Sequence, residues 1–201
     1  MEPQPARAYS PTLYESLEAL PEGVTGEILD GQLHTQPRPA GPHAHAAIQL
    51  GGPIARGDGD GDGDGIDGPG GWWILIDPEV HFVYDTEVTV PDLAGWRRQR
   101  MPYIPEGHRF EVVLDCVCEI LSPSTASKDR EVKMPLYARY GVPHAWLIDP
   151  GEQTLEVYRL NDGTWVKSGV FSGTDQVVAP PFEAVSIDLG LFWPPRGPVA
   201  V

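Results

Sequence analysis

The chain has 201 residues, of which 29 are Asp or Glu and 14 are Lys or Arg, and its formal net charge is −15. This length suits one domain, residues 1–201, with a buried core, and the acidic balance argues against nucleic-acid binding through a broad basic surface. No run of about 18 apolar residues occurs, and the opening stretch MEPQPARAYS lacks an apolar signal segment, so we expect a cytoplasmic protein without a membrane span.

The first predicted elements are a short helix and a hairpin. The stretch SPTLYESLEALPEG offers Ser10 or Thr12 as a helix cap, and its leucines recur at helical spacing (Leu13, Leu17 and Leu20). In GEILDGQLHTQP, two alternating segments flank Asp30-Gly31, a dipeptide that suits a tight turn between strands. Glu27 therefore lies on the first strand of the hairpin.

A second helix is predicted from His43 in HAHAAIQLGGPI, with Ala47, Ile48 and Leu50 on or near its buried side. Residues i and i+2 of a helix do not face the same way. His43 and His45 therefore diverge, and capping or surface roles are favoured over a shared metal.

A Gly/Asp-rich stretch, residues 57–71, follows this helix and has the composition of a calcium-binding loop. An EF-hand loop needs a glutamate at its twelfth position. Loops that start at the first three aspartates of the stretch have Pro69, Gly71 and Trp73 there instead. Because glycine raises chain entropy and like charges repel, we predict a flexible, solvated insertion.

The segment WWILIDPEVHFVYDTEVTVPDLAGW predicts two or more strands that lead to Pro91-Asp92, and a proline-marked loop follows. Seven basic residues, half of the total, lie between Asp92 and Lys133 against seven acids. This window is therefore neutral within an acidic chain. An anionic partner is expected to approach there, and ordinary solvated charges are the alternative interpretation.

The stretch RFEVVLDCVCEILSPST predicts a central strand, because both of its faces are mostly apolar. Cys116 and Cys118 lie on one face and are interpreted as buried small residues. Asp115 and Glu119 share the other face, where ionised carboxylates need compensation. It could come from Arg or Lys of the next helix, from main-chain donors at the strand end, or from a divalent metal that Asp92 also binds.

The next helix is predicted in SPSTASKDREVKMPLYARYGV, with a serine or threonine cap and an end near Gly141, despite Pro135. Further strands follow in HAWLIDP and in TLEVYRLNDGTWVKSGVF, which turns at 161–163, and the tail FEAVSIDLGLFWPP adds a strand or turn. The predicted fold class is therefore α/β, an α+β mixed sheet with flanking helices and no internal repeats.

A carboxylate pair on adjacent strands near a lysine is an arrangement that suits metal-assisted phosphodiester hydrolysis. Hard cations such as Mg²⁺ take oxygen ligands and fill their remaining positions with water. The metal lowers the pKa of a bound water and stabilises charge on the phosphate, while the lysine orients the nucleophile. An ordinary salt-bridge network produces similar residues, so the pattern alone leaves both interpretations open.

Four stretches resemble the Uma-two family of putative restriction endonucleases, in the PD-(D/E)XK nuclease superfamily. They are LPEGVTGEILDGQL, TVPDLAGWRRQRMP, DCVCEILSPSTASKDREVKMPLYARYGVPHAWLIDPGEQTLEVYRL and VSIDLGLFW. The resemblance runs from about Tyr14 to Trp193. It implies a restriction-endonuclease-like core, DNA as the partner and a Mg²⁺-dependent site at the sheet edge, with Mn²⁺ as a substitute. Because cutting two strands needs two sites, it also leaves a homodimer open.

The resemblance also implies which residues act. Asp92 would be the first catalytic metal ligand and Glu119 the second. The superfamily has a lysine two residues after this glutamate, where this chain has Leu121. In the family that lysine has moved to the following helix, which indicates Lys133.

Three further positions match the family pattern. Glu27 resembles its upstream glutamate and would add a catalytic residue and metal ligand, although it can also simply flank the hairpin. His43 and Asp115 match recurrent positions without an assigned role. Lys133 can alternatively pair with Asp129, one helical turn away.

The leading hypothesis is a metal-dependent endonuclease that hydrolyses DNA phosphodiester bonds with metal-activated water. A catalytically silent relative that binds nucleic acid or protein in a mobile-element or defence context is the alternative. The charge of −15 favours it, because duplex affinity comes largely from phosphate contacts. A Ca²⁺-responsive binding protein built on the Gly/Asp-rich stretch is a third hypothesis. Cleavage specificity and the choice between DNA and RNA stay open.

Overall fold

Two mixed β-sheets form the framework of the protein, whose computed structural model describes residues 10–36, 39–56 and 71–195. The strands are β1 Thr25–Leu29, β2 Gln32–Gln36, β3 Trp72–Ile76, β4 Glu79–Val83, β5 Glu87–Thr89, β6 Leu93–Arg97, β7 Arg109–Phe110, β8 Cys116–Ile120, β9 His144–Asp149, β10 Thr154–Asn161, β11 Thr164–Ser172, β12 Gln176–Val177 and β13 Ile187–Asp188. The helices are α1 Leu13–Glu18, α2 Gly41–Arg56, α3 Ala126–Lys128 and α4 Met134–Arg139, with a π-helical turn Asp129–Lys133 between the last two and a 3₁₀ turn at Leu189–Leu191.

The larger sheet has six strands in the order β11-β10-β9-β8-β6-β3. Its strand β8 runs parallel to β9 and antiparallel to β6, so the predicted central strand is confirmed. It is shorter than predicted, because it begins at Cys116 and the preceding Arg109–Phe110 joins the other sheet as β7. The second sheet has five strands in the order β2-β1-β5-β4-β7, and β12 pairs with β13.

The residues of β8 alternate between two apolar clusters. Cys116, Cys118 and Ile120 pack in one cluster with residues of α2, and both cysteines are buried free thiols, as predicted. Val117 belongs to the other cluster, which contains residues of α4 and of the five-stranded sheet. A second sheet, which the sequence did not predict, thus covers one face of the larger sheet, and the mixed α+β class is confirmed.

The local predictions for the first elements hold in most details. Thr12 caps α1, and a capping box joins it to Glu15 in both directions. The hairpin turns at Asp30-Gly31, with φ angles of 50° and 68°. Helix α2 begins at Gly41, and the expectation for Ile48 is wrong, because this side chain is 65% exposed.

The helix after β8 forms as predicted but is not uniform. Thr125 occupies the N-cap position without a side-chain capping bond, so that part of the prediction is wrong. The π-helical turn follows α3, and Pro135 lies in the first turn of α4, where a missing N–H is tolerated. Helix α4 ends at Arg139. Gly141 follows with a φ of 75°, a left-handed backbone conformation that glycine adopts without strain.

Two further predictions concern the Gly/Asp-rich stretch and the membrane. Residues 57–70 of the Gly/Asp-rich stretch lie outside the described residues, so its flexibility stays a prediction. In the ranges that the structure describes, no helix is long and apolar enough to cross a membrane.

A charge network joins the π-helical turn to the edge of the larger sheet. Glu156 on β10 binds Arg130 of the turn and Lys167 on β11, and Tyr158 donates its hydroxyl proton to the carboxylate over 2.6 Å. Burial opposes ionisation of Glu156, but the three donors outweigh it and lower its pKa to about 2.

We expect Glu156→Gln to lower the free energy of unfolding at pH 7 by about 1–2 kcal/mol, a figure reduced for solvent screening of the partly exposed cations. Because the folded-state pKa lies below the usual 4.5, the ionised group stabilises the fold above about pH 4.5, and this contribution disappears as the pH falls towards 2. Urea unfolding from pH 7 to pH 3 measures the difference between wild type and variant. A difference that stays constant over this range contradicts the assignment.

Candidate active site

Three carboxylates form a row across the ends of β3, β6 and β8. The β3–β6 pairing places Asp77 opposite Asp92, and the Asp77 N–H donates to the Asp92 carbonyl over 3.2 Å. The β6–β8 pairing places Asp92 opposite Glu119, and the Ile120 N–H donates to Asp92 Oδ2 over 2.6 Å. All three side chains line one pocket, so the three carboxylates lie on the same face of the sheet.

Lys133 links this row to the second sheet. Its Nζ lies 2.8 Å from Glu119 Oε1 and 2.9 Å from Glu27 Oε1, and all three side chains are at most 2% exposed. Asp129, the helical partner that the sequence offered as an alternative, is more distant at 4.0 Å. Burial alone would lower the pKa of Lys133, but Glu119 and Glu27 outweigh it and raise that pKa well above its usual range.

Glu27 forms ion pairs with two lysines, Lys128 and Lys133. Its other oxygen, Oε2, lies 2.6 Å from Lys128 Nζ, which also donates to Gln36 Oε1 over 2.6 Å, and the Val90 N–H donates to Glu27 Oε1 over 3.0 Å. Burial would raise the pKa of Glu27, but the two lysines lower it on balance. Glu27 is therefore held ionised against both lysines.

The π-helical turn explains how both lysines reach one carboxylate. Residues five apart in an α-helix point about 140° away from each other, given 3.6 residues per turn. A π-helical turn bonds each N–H to the carbonyl five residues earlier, so residues five apart lie one above the other. Lys128 directly precedes the turn and Lys133 is its last residue, so the two lysines are five residues apart. Both therefore reach Glu27.

Glu119 differs from Glu27 in its surroundings. Tyr137, fully buried on α4, donates its hydroxyl proton to Glu119 Oε1 over 2.5 Å. Burial raises the pKa of Glu119 to about 8; Lys133 opposes this shift, and the neighbouring carboxylates Asp129, Asp92 and Glu27 reinforce it. One lysine shared with Glu27 does not balance the negative charge around Glu119.

His43 of α2 also belongs to the site. Its Nε2 lies 3.1 Å from Asp92 Oδ1, whereas His45 faces away and bonds the carbonyl of Leu191 over 2.9 Å. The expected divergence of the two histidines is confirmed, but the surface or capping role favoured for His43 is wrong. Burial would lower its pKa, and the bond to Asp92 raises it on balance.

These side chains meet at a pocket of about 310 Å³. Its acidic lining consists of Asp77, Asp92, Glu119 and Asp129, with His43 and Lys133 beside them. The pKa values of Asp77 and Asp129 are raised, in both cases first by burial and also by the charge of Asp92. The pocket thus carries more negative charge than its own cations offset.

The four residues chosen from sequence, Asp92, Glu119, Lys133 and Glu27, are brought together. Asp115 is not, because it lies at the other end of β8, where it binds Arg100 Nη1 over 2.7 Å and accepts the Arg97 N–H over 2.9 Å.

Sequence reasoning missed Asp77, Lys128 and Tyr137. Asp77 directly follows the strand β3 in Ile76-Asp77-Pro78, and Asp92 directly precedes the strand β6, so an aspartate beside a proline at a strand end was a usable signal. The pairing of the two strands was not visible from the chain alone.

The donor set fits a hard divalent cation. Among the described residues, no three His, Cys, Asp or Glu side chains already converge as a metal cluster. Mg²⁺ commonly takes only one or two carboxylates and keeps several waters, which Asp92 and Glu119 beside an acidic pocket can accommodate. Both oxygens of Glu27 are engaged by lysines, so its role as a ligand stays a prediction.

We expect Lys133→Met to lower the free energy of unfolding by about 3–5 kcal/mol, because two buried carboxylates lose their shared cation. The double variant with Glu27→Gln should recover part of this loss, since one of the unpaired charges is then gone. Urea unfolding of the four proteins measures the coupling. Lys167→Met, which removes a half-exposed cation, is the control and should cost about 1 kcal/mol or less; strictly additive losses contradict the shared-lysine arrangement.

A solved structure of another protein has the same fold. The chain is similar to a crystal structure described as a putative nuclease belonging to DUF820 from Anabaena variabilis ATCC 29413. The TM-score is 0.69 at 23% identity, over 92% of this chain and 98% of that one. The comparison with curated proteins returns no match. A family model described as "Uma2: Putative restriction endonuclease" matches residues 12–190, and the chain therefore belongs to the Uma-two family.

Proposed function

We propose that the protein is a Mg²⁺-dependent endonuclease that hydrolyses phosphodiester bonds in DNA. The observation that carries this proposal is the placement of Asp92 and Glu119 on adjacent strands, on one face, with Lys133 at 2.8 Å from Glu119. Membership of the family described as "Putative restriction endonuclease" supports the nuclease class. The choice of DNA follows from that membership, and the choice of metal from the chemistry of the site.

Asp92 and Glu119 would hold the cation. When bound, a divalent cation lowers the pKa of a coordinated water and offsets charge on the scissile phosphate. The surplus of carboxylates in the pocket supports this assignment, because a divalent cation supplies the positive charge that the protein's own side chains lack. Asp77 lies next in the row and can accept hydrogen bonds from the waters that complete the shell.

Lys133 would orient the attacking water and stabilise charge at the phosphate. An ammonium group has three donors: two of this one bond Glu27 and Glu119, and the third makes the longest hydrogen bond, 3.4 Å to the Val90 carbonyl, which a water can replace. Glu27 acts through the lysine, since it keeps the amine protonated and in place. Because the side chain is buried and its partners are ordered, little reorganisation is needed when the substrate arrives.

His43 and the Ile120 N–H position Asp92. They bond different oxygens of the carboxylate, Oδ1 at 3.1 Å and Oδ2 at 2.6 Å. These contacts fix the plane of the group, as hydrogen-bonding partners around a metal ligand commonly do. His43 is therefore proposed as a positioning residue for the first ligand.

We expect wild-type protein to convert supercoiled plasmid to nicked or linear DNA in Mg²⁺ or Mn²⁺, and to leave it intact in EDTA. Asp92→Asn and Glu119→Gln should each reduce the cleavage rate by about 1,000-fold, equivalent to ~4 kcal/mol of lost transition-state stabilisation. Gel analysis of timed digests measures the rates, with single-stranded DNA and RNA of matched sequence as further substrates.

Glu131→Gln is the matched control, because this exposed residue of the π-helical turn loses the same charge outside the pocket and should cut like wild type. Folded wild type that cuts no nucleic acid in either metal would overturn the proposal and favour the silent binding relative. Cleavage of RNA alone would keep the nuclease and replace its substrate.

The ligand set can be tested by metal binding without catalysis. In titration calorimetry with Mg²⁺ we expect Asp92→Asn and Glu119→Gln to weaken the affinity by about tenfold or more. Glu27→Gln should have a smaller effect, because both of its oxygens are bonded to lysines. A loss in Glu27→Gln equal to that in Glu119→Gln would instead make Glu27 a direct ligand.

A further inference from the structure

We propose that Trp73, Arg98 and Tyr103 form a binding site for an unpaired nucleotide of the substrate strand. This nucleotide platform lies beyond the carboxylate row, along the edge strand β3. The inference rests on the proposed function, since it takes nucleic acid as the substrate. It adds a preference for a single strand over a duplex.

The platform combines a fixed cation with aromatic rings. The guanidinium carbon of Arg98 lies 4.0 Å from the centroid of the Trp73 ring, and the Trp73 indole N–H donates to the Met101 carbonyl over 2.9 Å. The guanidinium of Arg98 thus lies over the face of an oriented indole. A guanidinium in this arrangement can stack on a base and bond a phosphate.

Tyr103 completes the platform. Its side chain is 85% exposed, and it lines a cavity of about 450 Å³ together with Trp73, Arg98, Gln99 and Pro102. A single exposed aromatic residue is ordinary on a protein surface. Here it shares a cavity with a stacked arginine, which is the combination that single-strand binding proteins use for bases.

The platform and the catalytic row lie on the same side of the larger sheet. Trp73 and Leu75 pack against the same apolar cluster, and Leu75 and Asp77 line the same cavity, so Trp73 and Asp77 lie on one side of the sheet. Their separation along the strand is about 13 Å at ~3.3 Å per residue. This length corresponds to about four stacked nucleotides at ~3.4 Å each. A strand cut at the row can therefore reach the platform with a few nucleotides.

A larger cavity of about 680 Å³ adjoins the catalytic pocket on the side of the platform. It shares Thr25 and Asp77 with the catalytic pocket. The cavity and the platform are lined by the same two segments of the chain. On β3, Leu75 lines the cavity and Trp73 the platform; in the loop before β7, Ile104 lines the cavity and Tyr103 the platform. The catalytic pocket, this cavity and the platform thus follow one another along β3.

The charge of the 680 Å³ cavity argues against a duplex. Its described lining contains Glu22, Asp77 and Glu79 and neither Lys nor Arg, whereas duplex binding draws its affinity mainly from phosphate contacts with cations. Arg98 is the cation in the described lining of the platform cavity. Stacking on Trp73 and Tyr103, with Arg98 as the partner of one phosphate, is the interaction that the platform offers to a nucleotide.

The neighbouring arginines show that position, rather than charge alone, distinguishes Arg98. Arg97 points to the opposite face of β6, where its guanidinium carbon lies 4.5 Å from the centroid of the Trp72 ring. Arg100 binds Asp115 over 2.7 Å. Arg97 is therefore a matched control, with the same charge on the adjacent residue and the other face of the sheet.

The test measures binding without cleavage. In a Glu119→Gln background with EDTA, fluorescence anisotropy gives the dissociation constant for a labelled 12-nucleotide single-stranded DNA and for the duplex of the same sequence. We expect Arg98→Gln and Tyr103→Ala each to weaken single-strand binding about tenfold, equivalent to ~1.4 kcal/mol. Tyr103→Phe, which keeps the ring, and Arg97→Gln should stay within about twofold of the parent.

Equal losses in Arg97→Gln and Arg98→Gln would overturn the platform, since charge alone would then explain the binding. Tighter binding of the duplex, insensitive to Tyr103→Ala, would overturn it as well. The outcome is separable from that of the proposed function. Plasmid cleavage by wild type with no selective loss in Arg98→Gln removes the platform and keeps the nuclease, and the reverse pattern keeps the platform and removes the nuclease.

Discussion

The buried ammonium group of Lys133 is the interaction on which the site depends. Moving a lysine out of water is costly unless carboxylates surround it, and here they come from two different sheets, Glu27 on β1 and Glu119 on β8. The same contacts that offset this cost hold the five-stranded sheet, the six-stranded sheet and the helix in one arrangement. Stability and proposed catalysis thus share one set of atoms.

The helix that carries Lys133 is shaped by this requirement. A regular α-helix would direct Lys128 and Lys133 to different sides, and the π-helical turn between α3 and α4 aligns them on Glu27. The resulting charge distribution is uneven. Glu27 has two lysines, whereas Glu119 has a share of one and a raised pKa. This imbalance lies where the proposed cation would bind, so the missing charge and the proposed chemistry coincide.

The carboxylates of the proposed metal site lie at the ends of three strands. Asp77, Asp92 and Glu119 are distant in sequence and become neighbours because β3, β6 and β8 pair side by side. The edge strand β3 then extends from this row to Trp73, and so one strand links the carboxylates to the aromatic and arginine platform. The net charge of −15 leaves few cations for contacts with phosphates. A single strand bound through stacking and through a metal, as proposed, needs fewer such contacts than a duplex bound to a basic surface.

The sequence by itself determined the local elements and part of the site. Periodicity and turn residues predicted α1, the β1–β2 hairpin and the buried β8, because these signals act between residues a few positions apart. The family resemblance indicated Asp92, Glu119, Lys133 and Glu27. Only the tertiary structure placed Asp77, Lys128 and Tyr137 in the site, moved Asp115 away from it and put a second sheet over the larger one. Strand pairing and layer packing join residues far apart in the chain, and no local pattern records which of them will meet.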